Sequence, residues 1–464
     1  MNTLFVIAGT GILALVAEII NFKRWLTIIM ILGLAGALAF LPWYADHTDS
    51  DPVFNQMLMF DGPAVAFTWL IVIVTVMWLW MSGAYLKEGQ HQTDKTSLVI
   101  FVALGAVIMA SFNNMAMLFL GLEILSLSLY ALAGSKKDSL SSIESAFKYF
   151  LMGSFATGFL IFGIALVYGA THSFDLEQIF NVVRQNQQLP GFFYAGVVLM
   201  MVGLGFKIST VPFHFWAPDV YEGAPTAITS LMATVVKIAA IAAFWRIFGF
   251  IFGLTSSHWM PVMYALVILT LVIPNITAIY QQKAKRMLAY SSIAHVGYIL
   301  LGFLGALKGV FVNPLFIVFY LAAYSVSSLA AFSVLMRVEE NGGSFSGLYY
   351  RNKWMAVTMI VALMSMAGIP PMAGFAAKYF VFIVAIAANQ LPLVLLAVIT
   401  SAISVYYYFK IIIQMFDRED KNAAVEAIEI PWAIAIFHFV TVLLMIILGL
   451  FPSIDALAKL IQPQ

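Results

Sequence analysis

Fourteen apolar runs pattern the chain, at about 3–20, 25–43, 60–82, 97–112, 115–133, 145–170, 192–213, 224–252, 259–281, 287–306, 313–336, 354–389, 392–416 and 431–451. About 20 apolar residues suffice for one membrane crossing. The pattern therefore predicts an all-α polytopic membrane protein with about 14 transmembrane helices. The longest connections, about 44–59 and 171–191, are polar and too short for a soluble domain. Two runs are interrupted. The seventh contains GLGFKISTVPFHFWAPDVYEGAPT, with Lys207 five residues before Pro212, and the twelfth contains MAGIPPMAGF, with Pro370 and Pro371. Proline removes a backbone donor and clashes with the preceding turn. Both runs are expected to be discontinuous helices. Non-helical backbone at membrane depth occurs only where protein covers it or where it lines a cavity.

Composition and charge sharpen this picture. The chain is 62% hydrophobic and 10% charged, against about half and about a quarter in a soluble protein. Along alternating loops, one side receives Lys23, Arg24, Lys87, Lys95, Lys136, Lys137, Lys283, Lys285, Arg286, Arg337, Arg351, Lys353, Arg418 and Lys421, and the other only Arg184, Lys308 and Lys459. Positive loops stay inside. The bias places both termini outside, periplasmic in a bacterial inner membrane, beside an acidic first outer loop with Asp46, Asp49 and Asp51. A net charge of +1 argues against a nucleic-acid partner. With no cysteine, disulfides, thiolate-held iron–sulfur clusters and thiol catalysis are excluded. Gly9-Thr10-Gly11 follows no strand and is not a dinucleotide loop. No basic stretch or clear cleavage site marks the first run as a signal peptide, so it is expected to be a retained helix.

The ionisable residues inside the runs repeat at a fixed spacing. Lys207 lies 84 residues after Glu123, and Lys237 lies 30 after Lys207. Lys378 lies 83 residues after His295, and Lys410 lies 32 after Lys378. Matched residues are five helices apart, so the helices that carry them cross the membrane in opposite directions. This is the mark of an inverted repeat, the fourth to eighth helices (97–255) against the ninth to thirteenth (256–416), after three N-terminal helices (1–96) and before a last one (417–464). Each half is expected to hold a charged site near the midplane beside a discontinuous helix. One detail disagrees: Pro212 follows Lys207, whereas Pro370 and Pro371 precede Lys378.

A proton path needs groups that change charge at accessible pH and are linked to one another. Burial and a neighbouring cation disfavour a charged amine, and a nearby carboxylate favours it. A Glu–Lys–Lys series is thus a coupled device, in which moving one charge changes the proton affinity of the next. Lys207 and Lys237 are placed to repel each other, with Glu123 as the counter-charge to Lys207; the alternative is an ion bridge that only holds helices together. His295, in YSSIAHVGY with Ser291, Ser292 and Tyr298, and His214, a turn past Lys207, are candidate relays or satisfied core residues. No HxxxH or HExxH spacing supports a metal site. Lys148 pairs with Glu144 at i,i+4, either as an interfacial pair or as a proton-entry site. Glu18 and Arg246, near run ends, are expected to snorkel. Asp219 and Glu222 follow the break and could cap the next helix or face a partner. Lys410, after Tyr406, Tyr407 and Tyr408, could open to either surface. The aromatic residues, 39 Phe, 19 Tyr and 10 Trp, are read as lipid-facing or interhelical packing rather than a cofactor site.

KISTVPFHFWAPDVYEGAPTAIT, LEILSLSLYAL, ESAFKYFLMGSFATGFLIFGIALVYG, YSSIAHVGY and AGIPPMAGFAAKYFVF together resemble the antiporter-like membrane subunits of bacterial proton-pumping NADH:quinone oxidoreductase (respiratory complex I). The resemblance covers about Phe60 to Pro452. The family's largest member carries a long lateral C-terminal helix; this chain ends thirteen residues after Phe451. The resemblance implies a proton-translocating subunit with Glu123, Lys207, Lys237 and Lys378 as translocating residues, and Glu144 with Lys148 as the family's acid–lysine pair. It implies no cofactor in this chain, with NADH, FMN, iron–sulfur clusters and quinone in partner subunits. The implied partners are other membrane subunits of the oxidoreductase, including a second antiporter-like subunit and small subunits on the opposite side, together with lipid. Competing readings are a cation/proton antiporter or membrane-bound hydrogenase subunit, and a passive membrane scaffold.

Overall fold

The computed structural model describes residues 2–19, 25–41, 56–87, 91–185, 188–307, 314–417 and 427–451. The loop residues Lys23, Arg24, Asp46, Asp49, Asp51, Lys308, Arg418, Lys421 and Lys459, and the Glu18 side chain, lie outside that description. The order is α1 (Asn2–Ile19), α2 (Leu26–Ala39), α3 (Gly62–Met81), α4 (Gly83–Lys87), α5 (Gln92–Ser111), α6 (Met115–Ala133), α7 (Leu140–Thr171) and α8 (Leu176–Gln185). Then come α9 (Gly191–Ile208), α10 (Trp216–Gly223), α11 (Thr226–Ala233), α12 (Val235–Phe244), α13 (Ser256–Ile279), α14 (Ala284–Leu307) and α15 (Leu315–Glu340). Last are α16 (Leu348–Arg351), α17 (Lys353–Ala367), α18 (Ala373–Ala387), α19 (Leu391–Phe416) and α20 (Trp432–Leu450). A π-helical stretch, Trp245–Ile251, continues α12. Among the described residues, eleven helices are long and apolar enough to cross a membrane, and the other apolar runs fall on shorter helices. The chain is thus an all-helical, multi-pass membrane protein.

Both expected interruptions are present, and neighbouring helices supply the hydrogen bonds they leave unmade. In the gap between α9 and α10 the Val211 amide donates to Thr270 Oγ1 of α13 at 3.0 Å. Trp216 Nε1 donates to the Phe206 carbonyl, also at 3.0 Å. Between α17 and α18, Ser327 donates to Ser365 at 2.8 Å, and the Ser365 hydroxyl accepts the Gly374 amide at 3.1 Å. The Val211–Pro212 and Pro370–Pro371 peptide bonds are cis. A third interruption, at Thr234 between α11 and α12, has no proline or glycine to announce it.

Burial is uneven. Residues 226–248 are buried throughout, α14 and α15 nearly so, whereas most residues of α7, α19 and α20 are not fully buried. The most enclosed layer is where the two stretches expected to form repeats meet, α10 on α14 and α11 on α15. Lys237 stands within that layer.

Arg246 departs from expectation. It does not snorkel: it is 8% exposed, and its guanidinium meets Asp61 Oδ1 at 2.6 Å. The same carboxylate caps α3 by accepting the Ala64 amide at 3.0 Å. A carboxylate at a helix start within reach offers arginine a better partner than the membrane interface. Removing one member of a buried pair leaves the other uncompensated. Asp61→Asn and Arg246→Gln should each lower the thermal midpoint of the purified protein by a few degrees, and the double variant no further than the worse single one. Additive losses would show that the two do not act as a pair.

Candidate functional site

Lys207, Lys237 and Lys378 are buried in the bundle, and among the described residues no carboxylate touches any of the three. Lys207, in the last turn of α9, donates to Ser126 Oγ of α6 at 2.8 Å and to Tyr149 Oη of α7 at 3.1 Å. Its ammonium lies 5.1 Å from the centre of the Tyr149 ring. That ring stacks on Trp216 of α10 at 4.7 Å with planes 7° apart, so the far side of the break fixes the tyrosine that holds the lysine. Glu123 makes no ion pair with Lys207. It is half-buried on α6 between the exposed Leu120 and Leu127, and it reaches Lys207 only through space. The expected direct counter-charge is replaced by hydroxyls.

Lys237 donates to the Ser292 carbonyl of α14 at 2.6 Å, which ties the first half to the second. One turn on, His295 shares a proton between Nδ1 and Tyr320 Oη at 2.8 Å, and its Nε2 lies 3.4 Å from Tyr408 Oη. Tyr408 in turn contacts Ser291 at 2.5 Å. Lys237 and Lys378 both act on the imidazole through space. Ser291, Ser292, His295 and Tyr298 fall at helical spacing on one face of α14. That spacing explains why YSSIAHVGY carries the polar positions of an otherwise apolar helix.

Lys378, on α18, donates to the Ala367 carbonyl at 2.8 Å and to Ser401 Oγ of α19 at 2.7 Å, 4.9 Å from the Tyr298 ring centre. Ala367 ends α17, so the ammonium sits at the negative end of that half-helix. Lys207 likewise stands at the carboxyl end of α9. The positions of the prolines differ, and so do the partners: the Lys207 ammonium bonds hydroxyls of α6 and α7, whereas that of Lys378 bonds the last carbonyl of α17. Gly368 makes this approach possible: its φ is +84°, and a Cβ there would lie 2.9 Å from Lys378 Cδ.

The remaining candidates are set apart. Lys410 lies six residues from the end of α19, half-buried, with Nζ 3.3 Å from the Gln281 carbonyl. It lines a cavity of about 690 Å³ with Lys283, Glu339 and Asp417. It therefore opens to the end of the bundle with the basic loops, and it is not the midplane equivalent of Lys237. Glu144 and Lys148 pair at 2.7 Å on a largely exposed surface. Lys148 also reaches Asp219 at 3.2 Å, Arg286 bridges Asp219 and Glu222 at 2.7 and 2.9 Å, and Lys283 meets Glu222 at 2.6 Å. Asp219 and Glu222 thus bind basic residues of α14 and its approach; Pro225, not either acid, stands at the start of α11. His214, 4% exposed, leaves Nδ1 without a partner and lies against Phe215, ring centres 4.6 Å apart. Among the described residues no group of His, Asp and Glu could hold a metal ion.

Sequence reasoning missed the hydroxyl partners. Ser126 follows Glu123 by three, and Tyr149 lies next to Lys148, so both sat inside motifs already marked. Ser401, Tyr320 and Tyr408 carried no local signal, because only the fold brings them to the charges.

A family model described as NADH:quinone oxidoreductase/Mrp antiporter, TM, matches residues 112–404. A protein of Cytophaga hutchinsonii named NADH-quinone oxidoreductase subunit N is 39% identical, over 98% of each chain. One of the same name from Flavobacterium johnsoniae is 40% identical over 98% of this chain and 99% of its own. Among solved structures, a chain of respiratory complex I from Thermus thermophilus with bound aureothin superposes with a TM-score of 0.82 at 33% identity, over 97% of both chains. A chain of the Mrp complex from Dietzia sp. DQ12-45-1b shares the fold, with a TM-score of 0.84 at 20% identity, over 99% of this chain and 95% of that one.

A buried charged group left without its hydrogen bonds costs more than about 1–3 kcal/mol. The double variant Ser126→Ala/Tyr149→Phe should therefore lower the thermal midpoint of the purified protein, and adding Lys207→Met should recover most of the loss. No recovery would mean that the two hydroxyls stabilise the bundle for a reason unrelated to Lys207.

Proposed function

Because this chain belongs to the NADH:quinone oxidoreductase/Mrp antiporter membrane family, we propose that its buried lysines and His295 form the path along which protons cross the membrane. The chain is an antiporter-like membrane subunit of the proton-pumping NADH:quinone oxidoreductase, of the kind called subunit N among its relatives. Translocation through it is coupled to electron transfer from NADH to quinone in other subunits.

The observation that carries the assignment is the neutrality of the lysine cages. Lys207, Lys237 and Lys378 are held by hydroxyls, carbonyls and ring faces. Releasing a proton from such a cage leaves no bare carboxylate behind, and a free amine can still accept from Ser126, Tyr149 or Ser401. Lys148, clasped by Glu144 and Asp219, lacks that freedom and is better suited to an entrance than to the path. In this assignment protons pass between Lys207, Lys237, His295 and Lys378, Glu123 biases Lys207 from the rim, and His214 relays at the first break. Lys410 serves the mouth of the second half, an inverted copy (256–416) of the first (97–255).

In this reading that mouth opens on the cytoplasmic side of a bacterial inner membrane, with both termini periplasmic; the excess of basic residues on one set of loops supports it. The partners are other membrane subunits, among them a second antiporter-like subunit and small subunits on the opposite face. Flavin, iron–sulfur clusters, NADH and quinone belong to other chains of the complex.

Lys207→Ala should leave the complex assembled but lower NADH-driven acidification of inverted membrane vesicles severalfold. Normal acidification would remove Lys207 from the path. Glu123→Ala should be more damaging than Glu123→Asp; loss of assembly in both would instead favour a scaffold role for that residue. Gly368→Ala, which pushes on Lys378, should lower acidification with assembly intact, and full activity would show that Lys378 needs no contact with Ala367.

A further inference from the structure

At the end of the bundle that carries the basic loops, two cavities of about 690 and 590 Å³ share a wall made of Glu222, Lys285 and Glu339. The three are not equivalent. Glu222 is held by Arg286 and Lys283, and Lys285 donates to the Ala224 carbonyl at 2.5 Å. Among the described residues no cation forms a contact ion pair with Glu339, and Lys285 acts on it through space. Its one hydrogen bond comes from the hydroxyl of Thr226, the first residue of α11.

From Thr226 a line of buried hydroxyls runs inward. Thr226, Ser230 and Thr234 are spaced by four, and Lys237 comes eleven residues after Thr226. At about 3.6 residues per turn the three hydroxyls share one side of α11, and Lys237 stands in the first turn of α12, just past the interruption at Thr234. Ser230 accepts Trp78 Nε1 at 3.0 Å, and its own hydroxyl donates to the Ala227 carbonyl at 2.6 Å. Thr234 donates to the Ser230 carbonyl at 2.7 Å. Each hydroxyl keeps a lone pair free to accept. Successive hydroxyls are one turn apart, about 5.4 Å along the axis, a span that one bridging water closes.

The facing helix repeats the pattern. α11 packs on α15, where Ser328 precedes Glu339 by eleven residues and Ser325 by fourteen, again on one side. The hydroxyls of Ser325 and Ser328 are buried without a hydrogen-bond partner; Tyr324 lies near Ser328 but outside bonding geometry. Buried polar groups nearly always find a partner in protein or water. Beyond Lys237 the polar line stops, because residues 238–244, IAAIAAF, are apolar and buried.

We propose that Glu339 is the proton-collecting group of the first half, and that it supplies Lys237 through Thr226, Ser230 and Thr234. Protonated Glu339 gives its proton to the Thr226 hydroxyl as that hydroxyl passes its own inward. Each following oxygen gains one proton and loses one. The free amine of Lys237 takes the last, and the Glu339 carboxylate is reprotonated from the cavities. Only O–H and N–H bonds form and break. The route is separate from Glu144 and Lys148, and it rests on Lys237 lying on the translocation path.

The test uses the whole complex in sealed proteoliposomes, with the initial rate of NADH-driven proton translocation as readout. Glu339→Gln should slow it by on the order of tenfold, and Glu339→Asp should restore most of the rate. Thr234→Val, which keeps the shape and loses the hydroxyl, should slow it comparably, and Thr234→Ser should not. Glu339→Gln at the normal rate overturns the proposal, and so does Thr234→Val at the normal rate. Where Glu339→Gln fails to assemble, the Thr234 pair decides: equal rates for Val and Ser overturn the route, and a deficit in Val alone supports it. Lys237→Ala separates the two layers. If it pumps normally, the path assigned to Lys237 fails and the intake with it. If it is inactive while the other variants are normal, the intake alone fails.

Discussion

A positive charge without a negative partner in a hydrocarbon-depth interior governs this structure. Such a charge costs several kcal/mol, and this chain places three in one bundle. The interior meets the cost with dipoles: hydroxyls of Ser126, Tyr149 and Ser401, carbonyls of Ser292 and Ala367, and the faces of Tyr149 and Tyr298. Among the described residues, carboxylates in contact with lysine or arginine stand toward the ends, at Asp61–Arg246 on one and around Asp219, Glu222 and Glu340 on the other. The division has a chemical consequence. Ion pairs fix charge and brace the helices, whereas neutral cages leave a proton free to move.

The interruptions follow from the same constraint. Within an unbroken helix an ammonium must share a carbonyl already bonded in the helix, as Lys237 does with that of Ser292, whereas a helix end has a free one. Ending α17 at Ala367 creates one, and Lys378 takes it. Ending α9 at Ile208 frees the Phe206 carbonyl, which Trp216 takes, and Trp216 then supports the tyrosine that binds Lys207. Proline ensures the ending but does not position the lysine. The prolines can therefore stand after Lys207 and before Lys378, with the freed carbonyl taken by a tryptophan at one break and by the lysine at the other.

Much of this was legible in the chain. Apolar runs located the helices, because burial in lipid leaves a contiguous signal, and proline located two of the three interruptions. Lys207, Lys237, His295 and Lys378 stood out because charge is rare at such depth. What stayed hidden was what the charges touch. Serine and tyrosine in apolar runs are common and unremarked, and only tertiary packing shows that Ser401 and Tyr320 face a charge while others do not. The same limit misplaced Lys410. Equal spacing suggested equivalence with Lys237, but Lys410 stands six residues from the end of α19, beside a cavity. Arg246 was misread as an interfacial residue because its partner, Asp61, lies 185 positions away.

Helix α14 explains how separate cages act as one device. Its polar face presents Ser292 to Lys237, His295 to Tyr320 and Tyr408, and Tyr298 to Lys378. The first-half lysine is thus bonded to a second-half helix, and both lysines act on one imidazole. Charging Lys237 disfavours a charge on His295, and the same holds between His295 and Lys378.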